Sequence, residues 1–260
     1  MSAIILKQVG KTYANGFKAL NGIDLTIEQG QFVVVLGPSG AGKSTLLRVI
    51  NAMDPANSGE VTVDGELVQG RNLRKIRARI GMVFQHFNLV DRLNVMTNVL
   101  TGRLAYRHWL GSLLQLFPKS DFELAEAALA EVGLVDKAWQ RADQLSGGQQ
   151  QRVAIARALT QQPRVILADE PVASLDPKSS EDVLALLKKI CVEKNITVIA
   201  NLHQIEFAKI YADRIVALNA GRVVFDGPPD DLTDHRLNQI YGLDAKESQH
   251  DRDELALADA

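Results

Sequence analysis

One segment, residues 37–45, constrains the fold of this chain more than any other: Gly37, Pro38, Ser39, Gly40, Ala41, Gly42, Lys43, Ser44 and Thr45. It fits the pattern G-x-x-x-x-G-K-S/T at every required position. An apolar run, residues 32–36, precedes it, and a helical pattern, residues 46–50, follows. A buried strand that runs through glycines into a helix directs several backbone N–H groups at one point, at the positive end of the helix dipole. The segment therefore predicts a phosphate-binding loop in an α/β fold.

The residue types in this loop each suit the binding of a polyphosphate. Glycines adopt positive φ angles and let the backbone approach a phosphate without a Cβ in the way. Lys43 places a positive charge near the terminal phosphates, and the hydroxyl of Ser44 is a ligand for Mg²⁺. The alternative is a chance glycine turn, which the strand–loop–helix context disfavours. We therefore predict that the chain binds a nucleoside triphosphate, ATP, together with Mg²⁺.

Composition narrows the possible partners and the cellular setting. The chain has 260 residues, a net charge of −2 and a pI near 6.2, which argues against a nucleic-acid-binding protein, since such proteins are usually basic. The single cysteine, Cys191, excludes an internal disulfide and lies in an apolar stripe, so we interpret it as a core residue. Residues 1–7 lack the pattern of a signal peptide, and no apolar run approaches the ~20 residues that cross a bilayer. We expect a cytosolic protein that reaches a membrane only through partners.

The apolar pattern predicts a nucleotide-binding α/β core with an insertion. Strand patterns occur at residues 4–6, 23–27, 32–36, 61–63, 80–84, 165–168, 196–200 and 215–218. From about residue 86 to 160 the pattern is helical, which predicts a helical subdomain inserted between strands of one core. We expect a single domain over residues 1–242 and a flexible acidic tail over residues 243–260. Five basic residues between positions 71 and 79 favour a solvated helix face over an anion-binding patch.

Two carboxylates follow the apolar run at residues 165–168. Ligands of parallel sheets gather beyond the carboxyl ends of the strands, so Asp169 and Glu170 are expected to share a crevice with the phosphate loop. Asp169 suits the Mg²⁺ shell, directly or through water. Glu170 is placed to orient or deprotonate a water that attacks the γ-phosphate. A favourable helix start is the alternative, which the following Pro171 disfavours.

A second glycine-rich helix start lies far along the chain, at Ser146, Gly147, Gly148 and Gln149. Ser146 is a good N-cap, and the paired glycines expose backbone N–H groups at a helix N-terminus. One interpretation is a capped helix that binds nothing. The other is an anion site for a nucleotide held by another copy of the chain, in a twofold dimer that buries two nucleotides.

Taken together, these motifs resemble the nucleotide-binding subunit of an ABC transporter. The resemblance extends from about residue 6 to residue 242 and rests on residues 37–45, 85, 145–149, 165–170, 174–176 and 203. It implies an α/β fold in which a P-loop NTPase core carries an N-terminal antiparallel β subdomain and an inserted α-helical subdomain. It further implies ATP hydrolysis coupled to transport, and a homodimer.

The resemblance also implies roles for individual residues. Tyr13 matches the aromatic residue that stacks on adenine, and Gln85 the residue that senses Mg²⁺ and the attacking water. Residues 146–149 match the signature that binds ATP in trans, Asp176 belongs to the loop that links the two sites across the dimer, and His203 matches the histidine that contacts the γ-phosphate. Structural roles remain the alternatives: a core tyrosine, a strand-end amide, a turn before Pro177 and a structural histidine.

Residues 87–95, 103–118 and 167–177 are similar to the ATPase of phosphonate importers, a group with relatives for phosphite and hypophosphite. The aromatic-rich residues 106–117 are either a partner-docking surface or part of the helical core. Asn201 departs from the threonine of many relatives, which leaves the expected role of His203 intact. Because the chain ends soon after Gly242, we expect no additional regulatory domain.

The expected partners are integral membrane permease subunits and a periplasmic or lipid-anchored solute-binding protein, with no nucleic acid. The expected location is the cytoplasmic face of the inner membrane. Three other classes stay open: an ABC ATPase for another small solute, a soluble ABC ATPase that acts on DNA or the ribosome, and a small-molecule kinase. The last two lack support, because the chain has neither a second cassette nor an acceptor site with a lid.

Overall fold

The structure, a computed structural model, describes residues 1–106 and 117–242. The strands are β1 (Ser2–Thr12), β2 (Lys18–Glu28), β3 (Phe32–Leu36), β4 (Ser58–Val63), β5 (Glu66–Leu67), β6 (Ile80–Val83), β7 (Val165–Asp169), β8 (Thr197–Asn201), β9 (Arg214–Asn219) and β10 (Arg222–Gly227). The helices are α1 (Lys43–Ile50), α2 (Leu73–Ala78), α3 (Val95–Leu100), α4 (Lys119–Glu131), α5 (Gly147–Thr160), α6 (Pro177–Lys194), α7 (Ile205–Tyr211) and α8 (Asp234–Tyr241).

The strands form two sheets of different character. The first is antiparallel, with the order β2-β1-β4-β5. The second has the order β10-β9-β3-β8-β7-β6, in which only β10 runs antiparallel to its neighbour. The parallel part needs cover on both faces, which the helices and the first sheet provide. The predicted α/β core with an N-terminal antiparallel β subdomain is confirmed.

The central strand β3 is buried along its whole length and supplies both hydrophobic cores. Because side chains alternate across a strand, Val33 and Val35 face α1 and the antiparallel sheet, whereas Phe32, Val34 and Leu36 face the larger group of helices. Helices α3, α4 and α5 also contribute residues to this second core, and these residues are continuous with those of the sheet. The described part of the helical block is therefore packed directly on the α/β core.

Two sequence predictions concern residues outside the described ranges. Residues 107–116 of the aromatic-rich segment and the predicted tail, residues 243–260, lie outside the described residues, so both expectations stay predictions. Within the described ranges, no helix is long and apolar enough to cross a membrane. Cys191 is buried on α6, and burial raises the pKa of its thiol to about 11, as expected for a core residue.

Candidate nucleotide-binding site

The site is built where the carboxyl ends of three neighbouring strands meet. β3 pairs with β8 in parallel, and β8 pairs with β7, so that Asp169 stands opposite Asn201 in the ladder. The phosphate loop follows β3, the acid pair ends β7, and His203 follows β8. The predicted proximity of these three segments is observed, because all of them leave the sheet at one edge.

The phosphate loop has a backbone that only glycine accommodates without strain. The φ angles of Gly37, Gly40 and Gly42 are 140°, 79° and 105°. A Cβ on Gly42 would lie 2.4 Å from the carbonyl oxygen of Ala19, and one on Gly37 would lie 2.1 Å from that of Leu218. No side chain caps the start of α1, and its first turn holds no acidic residue. Its N-terminal N–H groups are therefore available to an anion.

A cavity of about 360 Å³ lies over this loop. Backbone and side chains of the loop form most of its wall, and the other residues come from the β1–β2 turn and from the ends of β7 and β8. The lining residues are Phe17, Ser39, Gly40, Ala41, Gly42, Lys43, Ser44, Thr45, Glu170 and His203. The sequence analysis did not predict a role for Phe17, although an aromatic residue after Asn15 and Gly16 is unusual for a turn. Its side chain is half exposed.

Lys43 is the principal cation of the cavity. Its side chain is buried, and its Nζ donates hydrogen bonds to the carbonyl oxygens of Gly37 at 2.7 Å and Pro38 at 3.1 Å. Burial lowers the pKa of Lys43, and the carboxylates of Glu170 and Asp169 oppose that shift. A triphosphate in the cavity adds negative charge beside the ammonium group and favours its protonated form.

Ser44 and Asp169 are in direct contact. The Ser44 hydroxyl donates to Oδ1 of Asp169 at 2.9 Å, and the Asn201 side-chain amide donates to the same oxygen at 2.7 Å. A hydroxyl and a carboxylate are oxygen ligands of the kind that Mg²⁺ prefers, with phosphates and waters completing its shell. The described residues include no cluster of three or more His, Cys, Asp or Glu that could hold a metal alone. The donor set thus fits a cation that arrives with a nucleotide.

The side chains of Glu170 and His203 are in direct contact at the cavity wall: Nε2 of His203 lies 2.7 Å from Oε1 of Glu170, with the Glu170 side chain 23% exposed and the His203 side chain 46% exposed. Glu170 has a φ of 51°, in the left-handed region that non-glycine residues rarely adopt. Such strain is characteristic of functional sites, where the surrounding fold maintains it. The Glu170 side chain lines the cavity from this strained position, and no sequence pattern predicted the strained backbone conformation.

Two residues expected at the site do not line the cavity. The Tyr13 hydroxyl lies 3.2 Å from Oγ1 of Thr45 and donates to Asp54 at 3.1 Å, while the Lys11 ammonium group lies 5.4 Å from the centre of its ring. Gln85 lies in the turn after β6, half buried, and is not among the lining residues. In the described structure Tyr13 therefore contacts Thr45 and Asp54, and neither Tyr13 nor Gln85 belongs to the wall of the cavity.

Residues 146–149 also lie outside the cavity. Ser146 caps α5: its hydroxyl accepts from the N–H of Gln149 and its N–H donates to Oε1 of Gln149. This turn packs on the start of α6, where Asp176 caps the helix by accepting from the N–H of Ser179 at 3.0 Å. Hydrogen bonds from Ser179 lower the pKa of Asp176. In the described structure, the second glycine-rich turn therefore contributes no residue to the wall of the cavity over the phosphate loop.

Arg157 connects α5 to the loop that follows Gln85. Its half-buried guanidinium donates to the carbonyl oxygens of Phe87, at 2.9 Å, and Asn88. Phe87 and Asn88 both have positive φ angles, 51° and 52°, so the arginine maintains a strained turn. The residue was missed from the sequence because its partners are backbone atoms about seventy positions away.

Loss of this guanidinium is expected to be costly. Arg157→Ala should lower the free energy of unfolding by about 2 kcal/mol, because two hydrogen bonds from a charged group are lost and the strained turn at Phe87 and Asn88 loses its support. Arg152→Ala on the same helix removes an exposed pair with Asp182 and should cost less than about 1 kcal/mol. Urea unfolding measures both, and equal losses would contradict this role for Arg157.

The fold and the site together define a phosphate-loop nucleotide-binding domain. A family model for the ABC transporter matches residues 20–173. Among solved structures, the dimeric post-hydrolysis form of the ATP-binding cassette MJ0796 bound to ADP and Pi is 38% identical, covers 87% of this chain and 98% of that chain, and has a TM-score of 0.75. CbiO1 from Clostridium perfringens, part of the ABC transporter complex cbiONQ, is 28% identical over 97% of this chain and 99% of that chain, with a TM-score of 0.80.

Curated proteins give a finer comparison. The phosphonates import ATP-binding protein PhnC of Thiobacillus denitrificans is 60% identical over 258 residues, 99% of each chain. PhnC of Shouchella clausii is 55% identical over 249 residues, 95% of this chain and 94% of that one. The chain therefore belongs to the ABC transporter family, among the phosphonates import ATP-binding proteins. The resemblance inferred from the motifs is confirmed.

Proposed function

We propose that this chain is the ATP-hydrolysing subunit of an ABC importer for phosphonates or the related oxyanions phosphite and hypophosphite. The observation that carries the proposal is 60% identity over 99% of the chain to a phosphonates import ATP-binding protein. A lower-ranked candidate is an importer ATPase for another small solute, since cargo is selected by the permease and the binding protein rather than by this chain.

ATP binds, in this proposal, with its phosphates over residues 37–45. The supporting geometry is the uncapped start of α1, the positive φ angles of the glycines and the ammonium group of Lys43 beneath the cavity. Tyr13, whose hydroxyl lies 3.2 Å from Oγ1 of Thr45 at the end of the loop, stacks on adenine. Phe17 offers a half-exposed aromatic face at the same cavity.

Ser44 and Asp169 would hold Mg²⁺, with the side-chain oxygen of Gln85 as a further ligand. The ion, when bound, supplies positive charge that offsets the charge developing on the phosphate oxygens. Ser44 donates its hydrogen to Asp169 and so retains oxygen lone pairs for a cation.

Glu170 orients the water that attacks the γ-phosphate, and His203 contacts that phosphate. The 2.7 Å contact between the two side chains in the described structure supports a shared task. The attacking water must lie in line with the P–O bond that breaks, and a carboxylate that accepts a hydrogen bond from this water can hold it there.

Two copies complete the catalytic unit, with residues 146–149 of each contacting the nucleotide of the other. Support comes from the cavity over the phosphate loop, to whose wall residues 146–149 of the same chain contribute nothing, and from the dimeric solved relatives. Asp176, at the start of α6 beside residues 147 and 148, is placed to link the two sites. ATP favours the closed dimer because the closed state binds it more tightly than the open state does.

A bulky cation at the second turn should disable this arrangement. Ser146→Arg removes the cap of α5 and fills the space for the partner's γ-phosphate, so ATP turnover in the assembled importer should fall about 100-fold. Nucleotide binding to the isolated chain should change less than about threefold. Ser120→Arg on the exposed start of α4 is the matched control. Undiminished turnover of Ser146→Arg would remove the argument for a site shared between copies.

The proposed partners are integral permease subunits and a periplasmic or lipid-anchored solute-binding protein, with the chain peripheral on the cytoplasmic face of the inner membrane. Cargo is tested by reconstituting this chain in vesicles with the permease that co-purifies with it and a candidate solute-binding protein. We expect a phosphonate, phosphite or hypophosphite to stimulate ATPase activity and sulfate to have no effect. Stimulation only by a solute without phosphorus would favour the lower-ranked candidate.

A further inference from the structure

Asn201 is a buried amide at the edge of the sheet where the site is built. Sequence analysis predicted that this strand ends at residue 200, whereas β8 extends to Asn201, which pairs with Asp169 in the ladder. Its side chain is completely buried. Buried side-chain amides normally satisfy both ends by hydrogen bonding, so the partners of this residue need an explanation.

The orientation of the Asn201 amide follows from its neighbour. Oδ1 of Asp169 accepts the hydrogen bond at 2.7 Å, and because an ionised carboxylate cannot donate, the contacting atom is the NH₂ group of Asn201. The other polar atom of the side chain, Oδ1 of Asn201, therefore does not contact Asp169. It is buried and makes no hydrogen bond with the described residues.

Asp169 is constrained by two donors on one oxygen. The Ser44 hydroxyl and the Asn201 amide both donate to Oδ1, which restricts rotation of the carboxylate. In the described part of the chain, Oδ2 receives no hydrogen bond and stays available to a cation or its water. The Asn201 amide is thus hydrogen-bonded directly to Asp169, which together with Ser44 would hold Mg²⁺.

We propose that Asn201 is a positioning residue: its NH₂ group holds the Asp169 carboxylate in the orientation that would bind Mg²⁺ beside Ser44. The inference rests on the proposed function. Groups that orient a metal ligand without touching the metal commonly change metal affinity by about 10- to 100-fold when they are lost. A leucine of similar volume removes both the donor and the free acceptor.

The test measures metal binding rather than turnover. For Asn201→Leu, calorimetric titration with adenosine 5′-(β,γ-imido)triphosphate in EDTA should give an affinity within about twofold of the unaltered protein. With MgCl₂, the gain in affinity should be smaller by about 10-fold or more. Electron paramagnetic resonance of Mn²⁺, titrated into the protein–nucleotide complex, should show a matching increase in its dissociation constant.

Two further variants separate positioning from packing. Asn201→Thr keeps a hydroxyl donor for Asp169 and should recover part of the lost Mn²⁺ affinity, and it serves as the test if the leucine variant does not fold. Asn51→Leu makes the same change at another buried asparagine with an unpartnered Oδ1, at the opposite end of α1 from the phosphate loop. It should leave Mn²⁺ affinity unchanged. An equal loss in Asn51→Leu would assign the effect to packing and overturn the inference.

The outcomes also distinguish this inference from the function on which it rests. Ser44→Ala and Asp169→Asn should each weaken Mn²⁺ binding strongly. If they do and Asn201→Leu retains the original affinity, only the positioning role is wrong. If neither weakens Mn²⁺ binding, the metal site of the proposed function fails as well.

Discussion

Glu170→Gln is expected to bind ATP normally, to hydrolyse it at least about 100-fold more slowly and to accumulate as a dimer. Glutamine keeps the shape of the side chain and an oxygen for the contact with His203, so the cavity is preserved. It removes the carboxylate that, in the proposed function, orients the attacking water. The γ-phosphate should then persist, and with it the proposed contacts that join the two copies.

The dimer is measured by light scattering at saturating Mg-ATP, where the molar mass should rise to about twice the 28.5 kDa of the chain. Glu206→Gln, at the exposed start of α7, is the matched control and should behave as the unaltered protein. A Glu170→Gln protein that stays monomeric while saturated with ATP would count against the shared site. Retained turnover would count against the role of Glu170.

Lys43→Ala is expected to lower nucleotide affinity about 10- to 100-fold, because hydrogen bonds between a charged donor and an anion are worth about 1.5–3 kcal/mol. Burial, which lowers the pKa of Lys43, also means that little solvent screens its charge from a phosphate. The change is measured by calorimetry with Mg²⁺ and the same imido analogue of ATP.

The same lysine bonds two carbonyls of its own loop, so the loop itself could loosen in the alanine variant. Lys43→Met keeps the aliphatic stem and separates loss of charge from loss of packing, and both variants should lose affinity similarly. Lys209→Ala, at the exposed end of α7, controls for the removal of a lysine elsewhere. Unchanged affinity in Lys43→Ala would refute the assignment of the phosphate loop.

Much of the candidate site could be predicted because its parts are local in sequence. The phosphate loop occupies nine successive positions with a strand before it and a helix after it, and the Ser146 cap depends on residues three apart. The structure of such segments can be predicted from the pattern alone, since neighbouring residues decide the backbone conformation. The acid pair was placed correctly by one general rule, that ligands gather beyond the ends of parallel strands.

The remaining features depend on contacts between distant residues, and no local pattern reports them. Asn201 meets Asp169 only because β8 lies beside β7, and Arg157 reaches the carbonyls of Phe87 and Asn88 across the helical block. The sequence by itself determined the nucleotide-binding class, the motifs and the family. Only the tertiary structure decided which buried amide restrains Asp169 and which arginine holds the strained turn, because hydrogen-bond partners in a folded chain are selected by packing rather than by sequence distance.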